Sequence, residues 1–138
     1  MLYLGIAPSR ADSRQNLRKR IRQHFSGNAS SSTLRRTLGV LLEQTSGFPL
    51  RRVGPGERIT LGRDGEHWLD DWMHRNAFVA WADLERPWEV EAQLLKQFPC
   101  PLNLSHNAHH PFAEFLKTSR KAALRRAHQM SVDVEFMN

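Results

Sequence analysis

A guanidinium and an imidazole lie four residues apart in the basic run Asn16-Leu17-Arg18-Lys19-Arg20-Ile21-Arg22-Gln23-His24, downstream of a short apolar stretch that carries Tyr3 and ends at Gly5. On a helix, residues four apart stand one above the other. Arg20 and His24 would therefore share one face, and Leu17 and Ile21 another that can pack on a sheet. Arginine offers phosphate oxygens a permanently charged, bidentate fork, while tyrosine and histidine can pass protons; together they have the chemistry to hold and attack a phosphodiester. On spacing alone the competing reading is a solvated basic helix, because charge runs on helices are commonly solvent faces.

Other residues could do chemistry of their own. His106, His109 and His110 could ligate zinc or a similar ion with a fourth position open for water. Against that, neighbouring residues 109 and 110 rarely aim at one point, and histidine near a helix N-terminus commonly makes local hydrogen bonds. Asp70 and Asp71 could bind a metal but fit a solvated helix face better. Cys100, the single cysteine, sits between two prolines. It excludes an internal disulfide framework and a cysteine-rich zinc site, reads as structural, and fits a reducing cytoplasm.

A chain of 138 residues suits one domain over 1–138 with its own core. Formal charge is +6 overall but unevenly placed. Residues 1–36 hold eight Lys or Arg against Asp12, net +7, and residues 57–91 hold nine acids against four bases, net −5. A basic end of that density favours a polyanion such as nucleic acid, since each neutralised phosphate releases a condensed counterion. No basic amphipathic stretch with exposed aromatics suggests a membrane surface, no apolar run is long enough to cross a bilayer, and the N-terminus lacks signal-peptide order. The expectation is a cytoplasmic protein that does not meet the membrane.

The elements that must position these groups can be read from periodicity. Leu2 to Ile6 reads as a buried strand. A helix capped by Ser13 then runs to about Phe25 and stops at Gly27. Asn28 to Ser32 is a linker or a phosphate cradle at the next helix N-terminus. A second helix, from Thr33 to about Gln44, buries Leu34, Leu38, Leu41 and Leu42 and turns Arg35 and Arg36 outward. From Gly47 to Gly65 the chain is a loop excursion with a weak hairpin around Ile59-Thr60-Leu61 and a turn at Gly62-Arg63-Asp64-Gly65. A short helix from Glu66 to His74 buries Leu69, Trp72 and Met73, and Phe78-Val79-Ala80-Trp81 reads as a second strand. Pro87 opens a helix through Phe98, with Trp88, Leu94, Leu95 and Phe98 as its apolar side and Glu91 within it. The last helix, Pro111 to about Met130, has Phe112, Phe115 and Leu116 inside and Lys117, Arg120, Lys121, Arg125 and Arg126 outside.

Four separated pieces together resemble the GIY-YIG nuclease superfamily. The Tyr-Ile-Gly strand is matched by Tyr3-Leu4-Gly5, and the helix pattern Asn-Leu-x-x-Arg-x-x-x-His by Asn16, Leu17, Arg20 and His24. Glu-x-x-Leu-Ile is matched by Glu91-Ala92-Gln93-Leu94-Leu95, and the closing Pro-Leu-Asn by Pro101-Leu102-Asn103. The motifs span residues 3–103 and leave out the last helix and tail. The resemblance implies an α/β fold of the α+β kind, a small antiparallel sheet flanked by helices, and metal-dependent hydrolysis of DNA.

By that resemblance Tyr3 activates a water, Arg20 steadies the attacked phosphate, and Glu91 holds one divalent cation, Mg2+ or Mn2+. A phenol titrates near about 10, so a tyrosine acting as a base near neutrality needs help from a nearby cation. His24 is a second proton carrier or a hydrogen-bond partner of the base, Gly5 and Asn103 are structural, and Asn103 is expected to position the Glu91 helix. Glu89 faces elsewhere. Arg18, Lys19, Arg22, Arg35 and Arg36 are expected to contact DNA phosphates around Arg20. The alternatives are a catalytically weakened nucleic-acid-binding module on the same fold and a basic protein-interaction domain.

One departure from the family pattern stands out. The Gly-Ile-Tyr strand should precede Tyr3, and the sequence begins at Met1. A later recorded start, a truncation, or a member that has lost the strand would each account for it. An open strand edge invites association. Val132-Asp133-Val134-Glu135-Phe136 alternates apolar and polar residues and could cover that edge, within the chain or in a strand-exchanged homodimer; a frayed terminus is the competing reading.

Overall fold

The computed structural model describes residues 1–56 and 58–133, a helix-rich α+β arrangement with one small antiparallel sheet. The elements in order are α1 (Leu17–Ser26), α2 (Thr33–Leu41), α3 (Glu43–Ser46), β1 (Arg51–Arg52), β2 (Ile59–Thr60), α4 (Gly62–Asn76), α5 (Pro87–Gln97) and α6 (Ala113–Gln129). The hairpin pairs Arg51 with Thr60 and Arg52 with Ile59. No helix among the described residues is long and apolar enough to cross a membrane.

Capping decides where the helices start. α1 is capped by Asn16, whose Oδ1 accepts the Lys19 N–H at 2.9 Å. Ser13, the expected cap, closes a local turn instead, accepting from the Gln15 N–H at 3.2 Å. Ser32 caps α2 through Arg35 N–H. The expected single helix to Gln44 divides at Leu42 into α2 and α3, and α3 ends at Gly47 in the left-handed region, φ 75°. Gly62 to Gly65 is the first turn of α4 rather than a connecting turn. The Glu66 carboxylate reaches back to accept the Leu61 N–H at 3.1 Å, which satisfies a donor exposed at the helix start and lets the helix begin early.

Leu38, Leu50, Ile59, Leu61, Leu69, Met73, Leu102, Ala123 and Ala127 form the centre of the core, with α6 packed on α2 and β1, and α1 on α4. Gly39 lets α2 approach closely: a Cβ there would sit 2.7 Å from a Leu61 methyl. Cys100 is fully buried, and burial raises its thiol pKa, as suits a structural cysteine. Leu69 is completely buried, so Leu69→Ala removes about 2–5 kcal/mol of stability.

Two expected strands are not strands. Leu2–Ile6 is extended, but Leu2 is 66% exposed and the segment finds no neighbouring strand among the described residues. Phe78–Trp81 is likewise irregular, with Phe78 98% and Trp81 68% exposed. Apolar runs of this length carry strand propensity, but a strand also needs a second strand to pair with, and neither run has one among the described residues. The apolar faces of the last helices are narrower than expected too. Leu95 and Leu116 are buried, whereas Phe98 and Phe115 stay exposed. The described part of the C-terminal tail docks on the hairpin. Asp133 N–H donates to Arg52 O at 2.8 Å and its carbonyl accepts from Gly54 at 3.2 Å, so it does not lie along the Tyr3 segment. The rest of the expected tail strand, 134–136, lies outside the described residues.

Candidate active site

The site is built on an irregular segment held in a strand-like shape by a side chain. Asn103 acts as a surrogate strand neighbour: its Oδ1 accepts the Leu4 N–H at 2.9 Å and its Nδ2 donates to the Leu4 carbonyl at 2.7 Å. Leu102 N–H adds a bond to Leu2 O at 3.0 Å. Asn103 therefore positions the tyrosine segment, not the Glu91 helix as its motif suggested. It is held in turn by Asn107, which the sequence reading passed over; the buried Nδ2 of Asn107 donates to the carbonyls of Cys100 and Asn103. Gly5 leaves room for the ring of Tyr3 to fold over the backbone, since a Cβ there would lie 2.9 Å from the ring edge.

Pinned in this way, Tyr3 meets α1. Arg20 donates from Nη2 to Tyr3 Oη at 3.3 Å and from Nη1 to Gln23 Oε1 at 3.3 Å, and its Nε is buried with no hydrogen-bond partner. Gln23 is anchored by Ser31 O at 2.7 Å, and Gln15 joins it at 3.2 Å. Pro87 starts α5 at its first turn, and α5 carries Glu91 to the same place. Tyr3, Gly5, Ser9, Gln15, Arg20 and Glu91 line a cleft of about 200 Å³. Ser9 and Gln15 had no signal in the sequence beyond being polar and close to the motifs. Glu91 is half-buried, and its carboxylate makes no ion pair or hydrogen bond among the described residues. Glu89 is exposed and paired with Arg86, as its different helix phase requires.

His24 lies behind this cleft. Its ring stands edge-on to Tyr3, centroids 5.5 Å apart at 82°, and its Nδ1 is 2.7 Å from Ser32 Oγ. Ser32 Oγ already accepts from Arg35 N–H, so donating its hydroxyl proton to Nδ1 satisfies both groups and leaves the ring proton on Nε2, which has no partner. Burial, reinforced by the cations of Arg20 and Arg35, lowers the His24 pKa to about 4. At neutral pH the ring is uncharged. In that state the ring stands edge-on to Tyr3 as a neutral imidazole.

The basic residues divide. Arg18, Lys19 and Arg22 are exposed on α1 as expected. Arg35 is not outside: its side chain is 0% exposed, donating to Glu66 Oε2 at 2.7 Å and to His24 O at 3.2 Å, and lying 2.6 Å from Asp70 Oδ1. Its expected contact with DNA falls with that burial. A helix face cannot be read as solvent when a buried carboxylate from another element, here Glu66, faces it. Arg36 is half-buried, donating to Ala29 O at 3.0 Å and Ser30 O at 3.3 Å. The run 28–32 is thus an ordered cap rather than a loose linker, with Asn28 Oδ1 accepting from Ser30 and Ser31. His106 and His109 are exposed, and His110 Nδ1 accepts the Phe112 N–H at 3.1 Å.

A family model described as the GIY-YIG catalytic domain matches residues 1–122. The chain belongs to the GIY-YIG family. No curated protein and no solved structure matches it. The match extends past the motifs into the first half of α6, farther than residue 103. GIY-YIG nucleases act on DNA and are generally dependent on a divalent metal. Among the described residues no three potential ligands cluster, so a cage built wholly of protein ligands does not fit the His106, His109 and His110 group or any other. A free carboxylate in a cleft shared with one arginine does fit a hydrated dication that takes one carboxylate and completes its shell with water and phosphate oxygens. The unpaired carboxylate in the wall of this cleft is that of Glu91.

Proposed function

We propose that this GIY-YIG domain is an endonuclease that hydrolyses DNA phosphodiester bonds with Mg2+ or Mn2+ held at Glu91. The observation that carries the reading is the convergence of Tyr3, Arg20 and Glu91 on one cleft, with Arg20 bonded to the Tyr3 hydroxyl. Three separate segments bring together a proton-handling oxygen, a fixed cation and an unpaired carboxylate.

In this reading Arg20 takes two tasks. Its guanidinium offers donors to the phosphate oxygens, where negative charge grows as the nucleophile approaches, and it also stabilises charge on the Tyr3 oxygen when that phenol releases its proton. Having released its own proton to solvent, Tyr3 accepts the proton of the attacking water as the new P–O bond forms; the P–O bond to the leaving nucleoside oxygen breaks, and that oxygen takes a proton from solvent. The dication, when bound, supplies charge neutralisation at the phosphate. Gln23 keeps Arg20 aimed, Asn103 keeps Tyr3 in reach, and neutral His24 closes the ring's other side against water. Arg18, Lys19 and Arg22 supply the exposed positive face that would meet the flanking phosphates.

The test is nicking of supercoiled plasmid in Mg2+ or Mn2+. The expected result is cleavage abolished by chelator and lost in Arg20→Ala and in Glu91→Ala, each still folded. Metal-dependent cleavage that survives both substitutions would refute the assignment. DNA binding with no cleavage by the unaltered protein would leave a binding module in place of an enzyme.

A further inference from the structure

Asn107 is a buried polar side chain that the cleft does not explain. It is 1% exposed and takes no part in the cleft wall. Its Nδ2 donates to Cys100 O at 2.8 Å and to Asn103 O at 3.2 Å, while its Oδ1 is buried with no hydrogen-bond partner. A half-satisfied amide is a costly way to fill a core, so its place there asks for a geometric reason.

The two carbonyls supply one. Cys100 O also accepts the Asn103 N–H at 3.0 Å, so Asn107 and Asn103 share an acceptor, and Asn107 holds the carbonyl on the far side of the Asn103 Cα as well. Both peptide groups flanking that Cα are thereby fixed. Only the side-chain torsions of Asn103 remain, and its paired bonds to the Leu4 N–H and carbonyl set those. Without Asn107 one flanking peptide is released, and the displacement passes directly to Leu4, the neighbour of Tyr3.

The backbone carries a second, independent sign. His106, just before Asn107, has φ 56°, the one positive φ at a non-glycine residue among the described residues. Its side chain is exposed and makes no hydrogen bond or ion pair among them. The turn is closed by Asn107 N–H donating to Leu104 O at 3.3 Å. A left-handed conformation is costly for an L side chain and persists where the surrounding structure imposes it.

We infer that Asn107 is a remote positioning residue for the Tyr3 hydroxyl, acting through Asn103, and that the left-handed turn at His106 aims it. His106 then contributes through its backbone and not through its imidazole. That this placement serves phosphodiester hydrolysis rests on the nuclease reading; the placement itself does not.

The chain has one tyrosine, so a 13C-labelled tyrosine ring reports on Tyr3 alone. Its NMR signals are compared in wild type, N107A, N107S, N103A, N103A/N107A, H106G and H106V, at a temperature where melts show each variant folded. N107A and N103A should move the Tyr3 signals in the same direction, and N107A should add nothing once Asn103 is gone. N107S, which keeps one donor, should move them less and stands in for N107A if that variant does not fold. H106G should leave them in place, because glycine takes this φ freely, whereas the β-branched H106V should move them from an exposed position. In nicking assays at saturating DNA, N107A should be about tenfold slower than wild type, the scale of one lost hydrogen bond, and should cost less than about twofold more in the N103A background.

Unmoved Tyr3 signals in N107A, or shifts of N107A and N103A that add in the double variant, overturn the inference. So does failure of both N107A and N107S to fold, which makes Asn107 a requirement of the core. Identical signals in H106V and H106G overturn the role of the turn. Coupled signals in a wild-type chain that nicks no DNA keep the positioning role and remove the nuclease reading. Coupled signals with nicking unchanged in N107A keep the positioning role and remove Tyr3 from the chemistry.

Discussion

Two arginines on neighbouring helices, Arg35 on α2 and Arg20 on α1, show how differently one side chain can be used. Arg35 has its charge matched by Glu66 and Asp70, and donates further to the carbonyls of His24 and Glu66. Glu66 is equally occupied, taking the N–H groups of Ala29 and Leu61 as well. That network ties α1, α2 and α4 together, with nothing left over for a ligand. Arg20 is bonded to two neutral oxygens, keeps a buried Nε without a partner, and faces a cleft with an unpaired carboxylate. A saturated cation holds a fold together, and an unsaturated one is available to a substrate.

The sharpest way to break this contrast is to remove each arginine. Arg35→Ala leaves Glu66 charged and enclosed, so the expected loss is about 3–5 kcal/mol, enough to unfold a marginally stable domain. Arg20→Ala should leave the melting temperature nearly unchanged and lower nicking by about 10²–10³-fold, the scale of one lost charge-stabilising donor. Paired thermal melts and cleavage rates on both variants check it. A stable Arg35→Ala protein with depressed cleavage would exchange the two roles.

The sequence made one side of this contrast legible and hid the other. Asn16, Arg20 and His24 follow a helical spacing that needs only one helix to be real, and α1 provides it. Glu91 was found by its motif, and Pro87 marked the start of its helix. Arg35 was misplaced because burial of a charge depends on a partner 31 residues away on another element, and neither hydropathy nor spacing carries that information. Arg120, half-buried rather than outside, was misplaced for the converse reason: a charged residue on an apolar stripe is read as the edge of the stripe. The strand readings at Leu2–Ile6 and Phe78–Trp81 failed because pairing is a property of neighbours. A side chain, Asn103, does for Leu4 what a strand would do.

His24 sharpens the contrast through pH. It sits between the two arginines, and both of them disfavour its charged form. Its folded pKa of about 4 lies below the ordinary 6.5, so between those values the unfolded chain binds more protons than the folded one. The stabilisation is therefore complete above 6.5 and is lost as pH falls toward 4. The shift from 6.5 to about 4 corresponds to roughly 3 kcal/mol. Urea melts from pH 7 to 4 should show that loss in wild type and a flatter profile in His24→Asn. Equal profiles would mean that the ring is already hydrated or charged in the native protein.

Asn103 offers a smaller effect that separates positioning from chemistry. Asn103→Ala removes two hydrogen bonds to Leu4, at a net cost of about 1–3 kcal/mol. Because the bonds hold the segment carrying Tyr3 and touch neither Arg20 nor Glu91, cleavage should fall while the affinity for DNA in chelator stays within about twofold, too small a change for the loss of a charged contact. A parallel loss of affinity would place Asn103 in the binding surface.

The smallest effects are expected on the exposed side of α1. Arg18 and Arg22 have no hydrogen bond or ion pair among the described residues, and removing them disturbs no packing, so Arg18→Ala and Arg22→Ala should each move stability by less than about 0.5 kcal/mol. Their use would be in the field that meets DNA. Each phosphate neutralised contributes roughly 0.9 to the slope of log affinity against log salt, so the double variant should lose up to about two from that slope and bind more weakly at every salt concentration, with no change in preferred sequence. Cleavage at saturating DNA should be untouched, since neither residue reaches the cleft. If the salt dependence of the double variant matches wild type, the duplex approaches from another side. The exposed Lys117, Lys121 and Arg125 of α6 would then be the next face to neutralise.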